Sequence, residues 1–303
     1  MSTLEAPVVK PAKKKAANTR GESGVGRANL LVRLVVLVLC VLWLLPSVGV
    51  LVTSFRNLDA ANTTSWWNAI LHPSTFGFTT SNYSDAINNA ELGPAFMNSL
   101  AIALPATVIP ILIAAFAGYA FTFMKFKFRD TIFIIIVSML VIPNYVAFVP
   151  MLKIYGNFHI AGTFPAAWLA HIGFGMSMAV YLIRSYMSTL PTSVIESAKI
   201  DGASDYQTFY RLVLPMSVPI LASFAIFQFL WVWNDLLVAL TFAGGTPDVA
   251  PITAYLANIV GSYGAKTHLI TAGAFIAIIV PLIVFFALQR FFVRGLLAGS
   301  VKG

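Results

Sequence analysis

Charge is scarce in this chain. Only 10% of its 303 residues are Asp, Glu, Lys or Arg, and 58% are hydrophobic. Soluble domains carry about a quarter charged residues, so a mean hydropathy of +0.83 points to a protein whose solvent is lipid. Cysteine is nearly missing: Cys40 stands alone in an apolar run, which excludes a disulfide framework and a thiolate metal cluster. The histidines His72, His159, His171 and His268 are scattered, with no H-E-x-x-H among them. No G-x-x-x-x-G-K-[ST] cradles a triphosphate, and no G-x-S-x-G elbow presents a serine. Basic residues are too few outside the connecting segments to line a nucleic-acid groove. A membrane-embedded enzyme therefore has little footing.

Long apolar stretches are abundant. Six are long enough to cross a bilayer, which takes about 20 residues: roughly 30–54, 96–122, 131–152, 165–187, 216–243 and 269–291. Pro143, Pro150 and Pro165 interrupt or bound the third and fourth. Such prolines are tolerated where neighbouring helices or water satisfy the freed backbone groups. None of the six alternates as a β-barrel strand does, so the fold class is an all-α integral membrane protein with six transmembrane helices. With the N-terminus in the cytoplasm, only Arg56, Lys153 and Lys266 of the 19 Lys and Arg fall outside. That asymmetry puts both termini and the 191–215 segment in the cytoplasm. Residues 1–29 read as a disordered basic tail drawn to anionic headgroups rather than a cleaved signal peptide. Residues 55–95, with Trp66, Trp67, Phe76, Phe78 and Tyr83, read as an external loop with interfacial aromatics.

One connecting segment is unusually structured. In PTSVIESAKIDGASDYQTFYRLVLP (191–215), Ser193 with Glu196 and Ser204 with Gln207 have capping-box spacing. Gly202 between them can end one short helix before the next, and Pro215 and Pro219 reset the chain as it enters the apolar stretch. The expected local form is helix, Gly break, helix, Pro.

Polar residues inside the spans are few and costly there. Asp235 lies in FQFLWVWNDLLVAL (227–240) with Gln228, Trp231, Trp233 and Asn234. Gln228, Trp231, Asn234 and Asp235 could line a polar passage, because aromatic faces and amide groups suit a sugar ring and its hydroxyl rim. The alternative is that Asp235 fixes helix packing, and this is the favoured reading of the residue. His171 reads as an interhelical hydrogen-bond partner. One buried carboxylate is thin equipment for an ion-driven carrier, which tends to use several coupled acids. A stand-alone secondary carrier or channel is the competing reading.

The hairpin resembles the EAA loop of ABC importer permeases, which reads E-A-A, three residues, G, nine residues, I, one residue, L-P. Glu196, Ala198, Gly202, Leu212, Leu214 and Pro215 fall on that pattern in register, with Ser197 replacing the first Ala and Leu212 the Ile. FMNSLAIALPAT (96–107), with its Asn98-Ser99 pair, and the C-terminal LQRFFVRGLLAGSVKG (288–303) are similar to the maltose and α-glucoside branch, in particular to its shorter six-helix subunit. WLLPSVGVLVTSFR (43–56) resembles that branch weakly. The resemblance covers residues 28–303, so that 30–303 would form one type-1 transmembrane domain.

It implies an ATP-driven sugar importer of the bacterial-type inner membrane. Its pore is shared with a homologous second permease and served by two ATP-binding subunits and an extracytoplasmic solute-binding protein. ATP and Mg would be held by those partners, leaving this chain without catalytic residues, metal or cofactor of its own. Glu196, Ala198, Asp201, Gly202, Leu214 and Pro215 would form the coupling site. The tail 295–303, ending in Gly299, Ser300, Val301, Lys302 and Gly303, would reach the ATPase interface. Glu196 would cap and charge the docking helix, and Ala198 would allow close approach.

Overall fold

The computed structural model describes residues 22–89, 92–262 and 266–300, and of 22–29, 89, 260–262 and 291–300 the backbone alone. The chain divides into Met1–Val48 and Gly49–Gly303. The described part of the first unit is helix α1 (Glu22–Ser54), which runs on into the second. Its apolar side chains from Leu30 to Val48 are exposed, as a helix solvated by lipid or by a partner requires.

In the second unit, α2 (Leu58–Thr63), α3 (Trp66–Leu71) and α4 (Ser81–Ser84) fold around Arg56, which is 1% exposed. Its guanidinium donates to the carbonyls of Ala60 (2.6 Å), Thr64 (2.8 Å) and Phe76 (3.3 Å), and to the Thr64 hydroxyl. Two of these carbonyls close the C-terminal end of α2, where orphan acceptors and the negative dipole end favour a cation. Asn82 donates to the carbonyls of Ser54 and Arg56, both at 2.8 Å, and pins the returning chain.

Helix α5 (Leu92–Phe123) follows, 32 residues long. Then come α6 (Arg129–Ser138) and α7 (Phe148–Asn157). Between them Pro143 holds Ile142 extended, and the two halves meet at 96°. Helix α8 (Phe164–Met187) carries a proline in its first turn. Next are α9 (Thr192–Ile200) and α10 (Asp205–Thr208), which continues through a π-helical turn, Phe209–Val213, into α11 (Leu214–Met216). That run bends by 68° into α12 (Val218–Asn234). After a second π-helical turn, Ala239–Ala243, the chain forms α13 (Ile252–Ser262) and α14 (Thr267–Ser300). The described residues contain no strand.

Among the described residues four helices are long and apolar enough to cross a membrane, and two bent pairs would raise the number to six. Two expected spans are therefore not continuous. The 131–152 stretch breaks at Pro143, and 216–243 stops at Asn234 and restarts after Asp235. The helix α13 was not anticipated between the last two spans.

Helix α5 packs against α8 and α12, and α12 against α14. Ala103, Ala106 and Ala114 on α5 and Ala166, Ala167, Ala170 and Ala179 on α8 are fully buried. Small side chains let backbones approach closely where apolar burial alone gives no drive in lipid. Three internal prolines are handled in one way. Each lacks the N–H that would bond the carbonyl four residues earlier, and each freed carbonyl meets a donor from another helix. Trp168 Nε1 donates to Ala101 (2.8 Å), four before Pro105. Gln228 Nε2 donates to Ala106 (3.2 Å), four before Pro110. Trp233 Nε1 donates to Ala277 (3.0 Å), four before Pro281.

Candidate functional site

The hairpin 191–216 packs at the Phe123 end of α5, away from the segment around Arg56. Ile195, Phe209 and Val213 are buried with Tyr119, Ile183 and Met187, and Leu214 packs half-buried beside them. Gly202 has φ +83°. Its N–H donates to Lys199 O (3.1 Å), and Ala203 N–H to Ala198 O (2.9 Å), the bond pair of a Schellman stop. A Cβ at Gly202 would meet nothing within 4 Å, so dihedral angle, not space, demands glycine. The Ser204–Gln207 capping box forms with both bonds, 2.9 and 3.3 Å. Asp205 then takes Lys199 Nζ at 3.1 Å and the Tyr119 hydroxyl at 3.2 Å, which ties the hairpin to α5.

The Ser193–Glu196 box does not form. Helix α9 starts at Thr192 after Pro191, without a side-chain cap; Pro191 fixes the chain entry two residues earlier than Ser193 requires. Glu196 therefore lies exposed in the second turn and caps nothing. Ala198 is half-buried, Asp201 is the exposed C-cap of α9, and Pro215 is exposed. The outward side of the hairpin carries apolar groups. Ile200 is 85% exposed, and Val194, Tyr206 and Tyr210 are exposed as well. Gly299 and Ser300 continue α14 as helical backbone, while Val301, Lys302 and Gly303 lie outside the described residues.

At the opposite end of α5, Asn98 Nδ2 donates to the carbonyls of Pro247 and Ala250, each at 3.2 Å. Ile252 N–H donates to Ser99 Oγ at 2.8 Å. The Asn98-Ser99 pair thus anchors the chain leading into α13.

Mid-bundle, the α6–α7 break leaves a cavity of about 460 Å³ against α8 and α12. Its walls include Met139, Asn144, Phe174, Met178, Gln228 and Trp231. A smaller cavity of about 170 Å³ shares Asn144, Phe174 and Trp231 and reaches Asp235. Trp231 stands between them, edge-on to His171 at 5.4 Å. Asp235 Oδ2 accepts from Val238 N (2.7 Å) and Ala239 N (3.3 Å) and so caps the restarted helix. Its main-chain oxygen takes the Thr253 hydroxyl at 2.8 Å.

Of the four expected passage residues, Gln228, Trp231 and Asp235 line these cavities. Asn234 lines neither and donates back to Leu230 O at 2.8 Å. His171 Nδ1 is buried without a partner among the described residues, and it is the His171 carbonyl that accepts from Gln228, at 3.4 Å. Asn144 and Phe174 were missed; the Pro143-Asn144 step was the available signal for the first. The larger cavity is apolar and aromatic with Asn144, Ser177 and Gln228 as isolated polar residues, suited to an uncharged polar solute. Among the described residues no group of three His, Cys, Asp or Glu could hold a metal.

The family model for the binding-protein-dependent transport system inner membrane component matches residues 106–297. The chain belongs to that family. These ABC permeases include relatives very similar to it. It is 50% identical over 275 residues to the osmoprotective compounds uptake permease protein of Synechocystis sp., covering 90% of this chain and 92% of that one. It is 52% identical over 231 residues to the alpha-glucoside transport system permease protein of Rhizobium meliloti, covering 75% of this chain and 61% of that one. A trehalose transport system permease protein of Mycobacterium tuberculosis is 34% identical over 238 residues, 77% of this chain and 85% of that one. A bacterial ABC transporter for import of the acidic polysaccharide alginate shares the fold, with TM-score 0.73 and 17% identity over 92% of this chain and 100% of that one. The permease is thus a multi-pass membrane protein of the ABC importer class.

Proposed function

We propose that this permease is the shorter, six-span subunit of an ATP-driven sugar importer, with α-glucosides or similar small oligosaccharides as the substrate class. Both bent pairs then count as spans, and the termini and hairpin face the cytoplasm. The observation that carries the reading is the hairpin, where the family's Gly position is the left-handed stop of a short helix with an exposed apolar side. Such an element can seat in a cleft of an ATP-binding subunit. Packed interfaces shift between discrete arrangements, so closure of the ATPase dimer would draw two such hairpins together. The bundles would turn outward to receive solute from the binding protein, and hydrolysis would let them part and open inward. Gly202, Ala198 and Asp201 shape the stop, Leu214 and Pro215 lead back into the bundle, and exposed Glu196 offers charge to the partner. Gln228, Trp231 and Asp235 would line this subunit's share of the path, and the tail 299–303 would reach the ATPase interface.

Copurification of the tagged chain after mild detergent extraction tests the assembly: a second permease and two P-loop subunits should accompany it. Uphill uptake by the purified single polypeptide under an ion gradient would establish the secondary-carrier alternative instead.

A further inference from the structure

Gln228 is 1% exposed, yet its carboxamide lines the 460 Å³ cavity. Its orientation is chemically dictated. Both neighbours on its nitrogen side are carbonyl oxygens, those of Ala106 at 3.2 Å and His171 at 3.4 Å. Only the NH₂ end can satisfy acceptors, and Pro110 ensures that the Ala106 carbonyl needs one. Gly175 clears the space: a Cβ there would lie 2.6 Å from Oε1 and 2.7 Å from Nε2. With Nε2 committed, Oε1 receives no hydrogen bond among the described residues, although it is not sealed from the cavity. The result is an acceptor of fixed direction, beside the face-bearing rings of Trp231 and Phe174.

We infer that Gln228 Oε1 reads a hydroxyl donor on an uncharged, polyhydroxylated solute held in this cavity, and is a specificity-determining group of this subunit. The inference rests on the solute-path reading above. A rigid acceptor that loses nothing in ordering itself on binding discriminates better than a mobile one. A solute lacking the matching hydroxyl leaves Oε1 dry and unpaired, which is penalised more than a missing contact in water.

The test must separate this role from the latch on Ala106. Gln228→Met keeps volume but removes both ends of the amide, and Pro110→Ala returns an N–H to the Ala106 carbonyl within α5. The complete transporter, with its binding protein saturating, is assayed in proteoliposomes with radiolabelled maltose and trehalose and their monodeoxy derivatives. Wild type should move one monodeoxy sugar about fivefold more slowly than its parent, the ratio expected for one neutral hydrogen bond. The Pro110→Ala variant should keep that penalty. The double variant, as heat-stable as wild type, should lose it, moving parent and derivative at equal rates. A double variant that retains the penalty, or a Pro110→Ala variant that already abolishes it, overturns the assignment to Oε1. A wild-type assembly that moves neither sugar removes the α-glucoside substrate on which the inference rests, whatever the variants do.

Discussion

The middle of the bundle and the 191–216 hairpin are held by different kinds of bond. In the middle, side chains from one helix satisfy carbonyls that prolines free in another: Trp168 on Ala101, Gln228 on Ala106, Trp233 on Ala277. Sliding one helix there would strand a carbonyl in lipid-like surroundings, at a cost of several kcal/mol. The hairpin instead closes on itself, through the Gly202 stop and the Ser204–Gln207 box. It reaches the bundle through an apolar cluster in which Ile195, Phe209 and Val213 are buried with Tyr119, Ile183 and Met187, and through the Tyr119–Asp205 bond. The difference separates a frame bound from helix to helix from a hairpin whose own turns are closed by local bonds.

The sharpest way to break the hairpin half of that contrast is Gly202→Val. A β-branched residue at φ +83° pays about 1–2 kcal/mol of backbone strain or more, and the stop should open. ATP-dependent uptake should fall below about a tenth of wild type while membrane levels on immunoblot hold, since a local stop can fail without global unfolding. Gly202→Ala, with open space for its Cβ, should fall between.

Arg56→Met tests a third region held by buried polar bonds. It leaves the Thr64 and Phe76 carbonyls short of a donor, each worth about 1–3 kcal/mol, while the Ala60 carbonyl keeps the Thr64 N–H. The 57–80 segment should become cleavable by added protease while the bundle's thermal transition stays in place.

Trp233→Phe keeps the ring stacked on Phe229 but removes the donor to Ala277. A loss of about 1–3 kcal/mol should appear in thermal unfolding in detergent, and Pro281→Ala in the same chain should restore most of it. Restoration would establish that the proline, and not general packing, makes the indole necessary.

The smallest expected effect belongs to Asp235. Alanine should cost about 1 kcal/mol as a lost cap, and asparagine only a few tenths, read from the same melts. An equal cost for both would mean that the carboxylate charge matters beyond its bonds to Val238 and Ala239.

Periodicity and length made the apolar helices legible, because a run of Leu, Ile, Val and Phe near 20 residues has few other uses. The Gly202 stop and the Ser204 cap were legible because both are local. Ser193–Glu196 had the right spacing and still failed, since Pro191 started the helix first. The break at Asp235 was hidden inside a stretch apolar enough overall to read as one span, despite its Asn234-Asp235 pair. A proline announces that a carbonyl four residues back is free, but the sequence does not say which indole or amide will find it. That pairing is a tertiary fact, and so is the cavity beside Gln228.

At 32 residues, α5 measures about 48 Å, against about 30 Å of hydrocarbon. Even with some tilt it outreaches the acyl chains and enters the headgroup layers. Tyr119 stands on its last turns, so on the proposed topology the phenol that grips Asp205 would belong to the overhang. On the proposed topology the hairpin would thus be carried on a mast clear of the oil, at a depth where water and a soluble protein could both touch it.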